Sequence, residues 1–345
     1  MRSPDVIIAG AGIIGISLAL ELRERGSSVL VLERAEPGNE ASSAAAGMLA
    51  ATDPETPVGL RALALESAML YPQFVRKLEN AVGVQADFRR HGTIALGEKP
   101  CPGHARALLA DELERMEPCL NAGGLPACFV AEDSIDPVLL MQVALGAARK
   151  NGVEVRGGMH VQTMRSGDGQ AEVITDQGRL LAGAAVNCCG AWSGAPVKPR
   201  KGQMMYLQPL RPGLIQHVVR APGAYIVPRS SGKILVGATV EDVGFDKTVD
   251  PQTIRRLHSA AASFVPELAS AAITETWAGL RPGTPDDLPV IGETANKRVF
   301  LASGHYRNGI LLAPVTARIM ANLVTGKPAG TDIATFSPAR FATAA

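Results

Sequence analysis

The N-terminal segment of this chain holds the pattern that most restricts how it can fold. An apolar run, Val6–Ala9, leads into Gly10-x-Gly12-x-x-Gly15. An amphipathic segment follows, and a second apolar run ends at Glu33. In that order, these features predict a strand, a tight turn, a helix and a second strand. This is the arrangement of the βαβ units that bind dinucleotides.

Each conspicuous residue of this segment has its own expected role. Gly10 permits the tight turn, Gly12 lets the backbone approach a pyrophosphate, and Gly15 lets the helix pack against the strand. The helix N-terminus offers unpaired N–H groups to the phosphates, and Glu33 can accept hydrogen bonds from ribose hydroxyls. The alternative is a glycine turn that only packs a helix against a strand. The strands on both sides favour a bound dinucleotide.

Charge and hydropathy argue against several classes of partner. The chain has 34 Lys and Arg against 33 Asp and Glu, a formal net charge of +1. That balance gives no electrostatic reason to expect nucleic acid or an anionic membrane as a partner. No apolar run approaches the roughly 20 residues that span a bilayer, and the glycine motif occupies the place of a signal sequence. We therefore expect a cytoplasmic protein.

The cysteines predict neither a disulfide framework nor a metal site. Their number is odd and no Cys-x-x-Cys pair occurs, which argues against metal binding. For a cytoplasmic chain the expectation is that no structural disulfide forms. The five residues are Cys101, Cys119, Cys128, Cys188 and Cys189.

The chain changes in character along its length. The first part alternates strand-like and helix-like segments, and Asp136-Pro137 predicts a capped helix start. From Lys198 onward, short strand-like pieces are separated by Gly and Pro, which is typical of a mostly antiparallel sheet. The predicted fold class is α/β (α+β overall). It has a Rossmann-like nucleotide-binding domain and a second domain on a mostly antiparallel sheet.

Further motifs follow in a fixed order along the chain. Together with the glycine motif and Glu33, they resemble the flavin-dependent D-amino-acid oxidase family. Within that family the chain is most similar to the glycine oxidase branch associated with thiamine biosynthesis. The resemblance covers nearly the whole chain. The motifs are ASSAAAGML (41–49), GAWSG (190–194), YIVPR (225–229), WAGLRPGTPDDLPVIG (277–292) and GHYRNGILLAP (304–314).

The resemblance implies a division of the chain into two discontinuous domains. The FAD-binding domain would comprise residues 1–83, 136–199 and 283–345, and the substrate-binding domain residues 84–135 and 200–282. It also implies a homotetramer. FAD is expected to be non-covalent, because no cysteine lies near the motif at 277–292.

Residues expected to contact FAD fall in several separate groups. The small residues of 41–49 fit either a serine-capped helix start or a segment on which a flat ring lies. At 305–311, backbone N–H groups before a long helix can stabilise negative charge on a reduced flavin. Besides the glycine motif, the resemblance implies contacts at Ile13, Ile14, Glu33, Arg34, Ser42, Ser43, Ala46, Gly47, Met48, Val161, His305, Tyr306, Arg307, Asn308, Gly309, Ile310 and Leu311.

The resemblance also implies a site for a small carboxylate substrate. Taken alone, Arg281 fits a surface or salt-bridged arginine, whereas the family motif makes it the carboxylate anchor. Tyr225 would add a hydrogen bond and Arg307 would lie near the mouth. Val240, which stands where the branch carries methionine, would line the side-chain space. No metal ion and no acid or base side chain is expected.

The implied activity is oxidative deamination of glycine or a similar small amine, such as sarcosine or a small D-amino acid. The expected products are the 2-oxo acid, ammonia and hydrogen peroxide, with dioxygen as the electron acceptor. Three alternatives stay open. They are an amino-acid dehydrogenase that uses a quinone or a protein acceptor, the oxidase module of an RNA-modifying enzyme, and a non-catalytic NAD-binding protein.

Overall fold

The N-terminal segment folds as its pattern predicts. In the computed structural model, which describes residues 3–97 and 104–341, strand Val6–Ala9 is followed by helix Ile13–Glu24 and strand Val29–Leu32. The two strands pair in parallel, with Val6 opposite Val29. Both are buried along their whole length, as expected for strands inside a parallel sheet.

The remaining elements complete an alternation of strands and helices, followed by a region dominated by strands. The helices are α1 (Ile13–Glu24), α2 (Val58–Val82), α3 (Ala110–Met116), α4 (Pro137–Lys150), α5 (Pro251–Phe264) and α6 (Gly309–Val324). The strands are β1 (Val6–Ala9), β2 (Val29–Leu32), β3 (Met48–Leu49), β4 (Phe88–Arg89), β5 (Thr93–Leu96), β6 (Arg106–Leu108), β7 (Ala127–Val130), β8 (Asp133–Ile135), β9 (Glu154–Arg156), β10 (Val161–Gly167), β11 (Gln170–Thr175), β12 (Gly178–Ala182), β13 (Ala184–Asn187), β14 (Lys198–Gln208), β15 (Val218–Ala221), β16 (Ala224–Pro228), β17 (Ile234–Gly237), β18 (Ala272–Gly283), β19 (Val290–Glu293) and β20 (Val299–Ser303).

The first large sheet places the glycine turn at its centre. Its strand order is β19-β20-β13-β1-β2-β9, and every neighbouring pair is parallel except β19 with β20. The carboxyl ends of β1, β2 and β13 therefore meet at one edge. The strand order reverses at β1, because β2 lies on one side of it and β13 on the other. That edge is where open α/β sheets bind their ligands. Helices α1, α2, α4 and α6 share the adjoining apolar core.

The second large sheet is mostly antiparallel, as predicted from the short strand-like pieces separated by Gly and Pro after Lys198. Its order is β18-β14-β17-β16-β15-β5-β7-β6, and the pairing of β15 with β5 is the parallel exception. The long pair β14–β18 runs from Lys198 opposite Gly283 to Gln208 opposite Ala272. Helix α5 packs on this sheet in a second apolar core. The predicted fold class is confirmed, and the division into two domains at the stated boundaries stays a prediction.

The cysteines depart from the expectation. Cys128, fully buried on β7, is disulfide-bonded, whereas Cys119, Cys188 and Cys189 are free thiols. The expectation that no disulfide forms is therefore wrong at Cys128, because the number and spacing of cysteines do not report which of them come together in the fold. Cys101 lies outside the described residues. Over the described ranges, no helix is long and apolar enough to cross a membrane.

Two helices begin with the same pair of residues. Asp136 caps α4 and Asp250 caps α5, and each carboxylate accepts two backbone N–H bonds from the first turn. Proline follows in both helices, where its missing N–H is not needed. Asp136 has a further neighbour, because its Oδ2 lies 3.7 Å from Nε of the buried Arg229.

We predict that Asp136→Ala destabilises the protein more than Asp250→Ala does. Loss of the cap at Asp136 should lower the free energy of unfolding by about 1 kcal/mol. The same change also removes the carboxylate nearest to a buried guanidinium, which adds to the loss. The midpoints of urea unfolding for the two variants test this. Equal shifts would show that Asp136 acts only as a cap.

Candidate active site

A long cleft runs from the carboxyl edge of the parallel sheet to the antiparallel sheet. The glycine turn and Glu33 form one end, and Tyr225 on β16 and Arg281 on β18 form the other. The structure thus brings together residues from distant parts of the sequence. The predicted residues that line the cleft are Gly10, Gly12, Ile13, Ile14, Glu33, Arg34, Ser42, Ala46, Gly47, Met48, Val161, Tyr225, Arg281, His305, Tyr306, Arg307, Asn308, Gly309 and Ile310.

Three predicted cofactor residues lie behind this lining. Gly15 packs α1 on β1, where an added Cβ would overlap the carbonyl oxygen of Gly10. The Ser43 hydroxyl donates to the carbonyl of Gly38 at 2.7 Å. Leu311, in the first turn of α6, is buried in the apolar core. Their roles in this structure are packing and local hydrogen bonding.

Val240 does not line the cleft, and its expected place in the substrate space stays a prediction. After β17 ends, the backbone of Glu241 exchanges two hydrogen bonds of 2.9 Å with Lys201 on β14. This pairing leaves the Val240 side chain 58% exposed. Met204 on β14 lines the cleft beside Tyr225 instead, and the sequence reasoning did not identify it.

The glycine turn packs its backbone closely against the residue that follows β13. Gly10 has φ +101°, and a Cβ there would overlap the carbonyl oxygen of Cys188. Gly12, the N-cap of α1, makes no side-chain capping bond, and the first turn holds no acidic residue. The N–H of Ile13 donates to Ser42 Oγ at 2.9 Å. This helix end therefore keeps its positive dipole, which suits a phosphate.

Beyond β2, acidic and aromatic groups continue the lining. Glu33 Oε2 accepts the N–H of Ala11 at 3.0 Å, which holds its carboxylate against the glycine turn. The Arg34 guanidinium lies 3.7 Å from the centre of the Trp192 ring. Trp192 belongs to the GAWSG motif, but the sequence reasoning did not name it as a site residue. Arg34 also forms a 2.9 Å ion pair with Glu40.

The small-residue segment 41–49 forms turns followed by the short strand β3, so the serine-capped helix is ruled out. Two side chains of the antiparallel sheet hold its backbone. Trp277 Nε1 donates to the carbonyl of Ala44 at 3.1 Å, and Arg229 Nη2 donates to that of Ala46 at 2.7 Å. A Cβ on Gly279 would lie 2.7 Å from Ala44 Cβ. Small residues are therefore needed where this segment crosses β18.

The start of α6 forms the next wall of the cleft. The helix begins at Gly309 with Asn308 as N-cap, without a side-chain capping bond and without an acidic residue in its first turn. Its unpaired N–H groups can therefore stabilise negative charge. His305 is buried beside this turn, and its Nε2 lies 3.1 Å from Thr316 Oγ1. Burial lowers the pKa of His305 from 6.5 to about 3.

At the far end of the cleft, Arg281 is fixed by neutral partners. Its Nη1 donates to the carbonyls of Thr239 at 3.0 Å and Lys201 at 3.4 Å. The guanidinium lies on Gly202, where any Cβ would overlap it. Among the described residues, no carboxylate forms an ion pair with Arg281. Its charge is therefore available to an anionic ligand.

Tyr225 and Arg307 complete this end. The Tyr225 hydroxyl lies 3.4 Å from Met204 Sδ, and a Cβ on Gly237 would come within 2.8 Å of it. Burial raises the pKa of Tyr225, against the opposing charges of Arg281 and Arg307. Both guanidinium groups therefore lie within electrostatic range of one phenol.

A family of FAD-dependent oxidoreductases, designated DAO, matches residues 5–323 of this chain. The chain belongs to this family. The resemblance that the motifs indicated is thereby confirmed, and the chain is a FAD-dependent enzyme.

Individual relatives of the DAO family cover nearly the whole chain. The bifunctional protein ThiO/ThiG of Trichormus variabilis is 34% identical over 98% of this chain and 55% of its own length. The chain thus spans about half the length of the bifunctional relatives it matches. The glycine oxidase of Pseudomonas aeruginosa is 33% identical over 98% of this chain and 99% of its own. The crystal structure of glycine oxidase from Geobacillus kaustophilus superposes with a TM-score of 0.92 at 32% identity, covering 98% of both chains.

The residues of the cleft fit the FAD of the DAO family. The N-cap Gly12 carries no side chain, and the first turn of α1 holds no acidic residue of its own, so this helix start suits the pyrophosphate. Glu33 would hold the ribose. The segment 41–48 and the start of α6 would hold the flavin ring, where the amides of α6 offer N–H donors.

We predict that Gly10→Ala yields protein without FAD. The added methyl group would overlap the Cys188 carbonyl oxygen, so the turn that presents the start of α1 to the pyrophosphate would have to shift. Gly26→Ala is the matched control, because Gly26 also has a positive φ (+88°) but nothing within 4 Å of its Cβ position. The ratio of flavin to protein absorbance after purification measures the outcome. Full flavin content in Gly10→Ala would contradict the assignment.

A second prediction concerns stability in acid. Because the pKa of His305 lies below its unfolded value, the unfolded chain binds a proton more readily between pH 6.5 and about 3. The free energy of unfolding should therefore fall as the pH falls through this window. His305→Gln removes this contribution, so stability should change less between pH 7.5 and 5 (about the accessible range). Urea unfolding of both FAD-loaded proteins at several pH values measures this. If the free energy of unfolding changes equally with pH in the two proteins, the prediction is wrong.

Proposed function

We propose that this enzyme oxidises glycine or a similarly small amino acid, such as sarcosine or a small D-amino acid. The products would be the 2-oxo acid and ammonia, or methylamine from sarcosine, with dioxygen reduced to hydrogen peroxide. One observation carries the proposal. The Arg281 guanidinium, which pairs with no carboxylate among the residues that the structure describes, lies in the same cleft as the start of α6. The names of the glycine oxidase relatives support this choice.

Arg281 would bind the carboxylate of the substrate. The hydrogen bonds that fix its guanidinium come from Nη1, and their acceptors are backbone carbonyls. Its positive charge can therefore pair with a carboxylate in a charge-assisted hydrogen bond. Tyr225 stays protonated because burial raises its pKa, so its hydroxyl can donate to the same carboxylate. Together these groups would orient the α-carbon.

Bound FAD would supply the redox chemistry, taking up two electrons and the α-hydrogen of the substrate. The amides at the start of α6 would provide N–H donors where negative charge develops. Binding and orientation are then the main tasks of the side chains. The substrate would react with a neutral amine, so the scheme requires no side-chain acid or base, and we assign none.

The substrate panel is the direct test. The FAD-loaded protein should release peroxide with at least one of glycine, sarcosine and D-alanine. If none of them reduces the flavin, the proposal is wrong. Reduction without oxygen, followed by slow reoxidation in air, would instead support the dehydrogenase alternative.

Substitution of the anchor gives a sharper prediction. Arg281→Ala should raise KM by about tenfold to a hundredfold, since a hydrogen bond to a charged group contributes about 1.5–3 kcal/mol. Arg200→Ala is the matched control, because Arg200 lies opposite Arg281 on β14 but pairs with Asp242 outside the cleft lining. Steady-state kinetics with the preferred substrate measure both. An unchanged KM for Arg281→Ala would remove it from this role.

Assembly and physiological context belong to the same proposal. We propose a cytoplasmic homotetramer, as the family resemblance implies. A role in thiamine biosynthesis is supported by the names of the ThiO/ThiG relatives. The assignment of the two discontinuous domains to FAD and substrate is likewise part of this proposal.

A further inference from the structure

The cleft holds two arginines near Tyr225, and their charges are balanced differently. Arg281 is hydrogen-bonded to carbonyls, as described above. Arg307 Nη1 instead forms an ion pair with Glu55 Oε2. Partial burial alone would lower the pKa of Arg307, but the Glu55 and Asp53 carboxylates raise it above its ordinary value. One of the two cations is therefore already matched by an anion of the protein.

The ion pair joins two walls of the cleft. Arg307 lies just before α6, and Glu55 lies in the loop that precedes α2. The side chains of Arg307 and Glu55 are 39% and 69% exposed, which places the pair at the mouth of the cleft. Water and ligands can therefore reach both groups.

The loop that carries Glu55 is held from behind by a second set of charges. Arg220 on β15 pairs with Asp53 at 3.3 Å and with Glu132 at 3.0 Å. Glu132 also accepts a 2.7 Å hydrogen bond from the Thr52 hydroxyl. These contacts fix the loop two residues before Glu55. The position of the Glu55 carboxylate does not depend on Arg307 alone.

We propose that Glu55 is a specificity-determining residue that restricts the enzyme to substrates with one carboxylate by occupying Arg307. This inference rests on the proposed function. A substrate whose nitrogen or α-carbon carries a second carboxylate would place that group near Glu55 and meet a like charge. Without the Glu55 charge, Arg307 becomes a second carboxylate site in the cleft that also holds Arg281.

The variant Glu55→Gln tests this, because it removes the charge and keeps the size of the side chain. Sarcosine and iminodiacetate form a matched substrate pair, in which carboxymethyl replaces the methyl group on nitrogen. The ratio of kcat/KM for iminodiacetate to that for sarcosine should rise by about tenfold or more, as expected for one new charge-assisted pair. The gain should shrink at high salt, since the pair is exposed.

Two further variants separate this effect from loosening of the structure. Glu66→Gln breaks the comparable pair of Glu66 with Arg318, whose members do not line the cleft, and should leave the ratio unchanged. The double variant Glu55→Gln/Arg307→Gln should lose the gain, because the second carboxylate then has no cation. If the gain persists in the double variant, Arg307 is not the second site and the inference is wrong.

A binding measurement makes the test independent of turnover. Acetate and malonate differ by one carboxylate, and each can be titrated into FAD-loaded protein while the visible flavin spectrum is followed. Glu55→Gln should tighten the Kd for malonate by about tenfold relative to acetate. An unchanged malonate affinity would overturn the inference. Failure of wild-type protein to oxidise any small amine would instead reject the proposed function, while the malonate titration would still decide the role of Glu55.

Discussion

A buried arginine attaches the large antiparallel sheet to the small-residue segment that runs along one wall of the cleft. Arg229 directly follows β16 and is only 4% exposed. It donates to the carbonyl of Ala46 at 2.7 Å and to that of Ile135 at 3.1 Å, and its Nε lies 3.7 Å from Asp136 Oδ2. An arginine this deeply buried is stable only where hydrogen bonds and a counter-charge compensate for lost hydration. The segment 41–49 along the cleft wall is thereby attached to the sheet that carries Tyr225.

The parts of the fold that the sequence predicts are those set by local geometry. The glycine spacing after β1 requires a tight turn, which the structure shows in the positive φ of Gly10 (+101°) and at Gly15, where a Cβ would overlap the carbonyl oxygen of Gly10. Likewise, Asp136 before a proline specifies a helix start through contacts within one turn. The short strand-like pieces after Lys198 predict an antiparallel sheet, because the turn residues that separate them are also a local feature of the sequence. Such features do not depend on which distant segments later meet.

The residues that the sequence could not assign depend on contacts between distant segments. Glu55 forms its ion pair with Arg307, which is 252 positions away in the sequence. Met204 lines the cleft because β14 runs along it. Cys128 is a further case, since its disulfide follows from tertiary structure. The exposure of Val240 has the same origin. The two hydrogen bonds between Glu241 and Lys201 turn its side chain outward, and neither sequence neighbourhood indicates that pairing.

Arg281 and Arg307, which line the cleft with Tyr225, show why residue identity alone does not define a carboxylate site. Arg281 and Arg307 carry the same fixed charge and the same planar set of donors. What distinguishes them is the chemistry of their partners. Carbonyl oxygens orient Arg281 and leave its net charge in place, whereas the Glu55 carboxylate both orients Arg307 and cancels its charge. A protein can thus fix a guanidinium with neutral acceptors where it must attract an anion. It can fix a guanidinium with a carboxylate where the side chain only has to join two parts of the cleft wall. The glycine at position 202 serves the first purpose, because its missing side chain lets Arg281 lie against the strand.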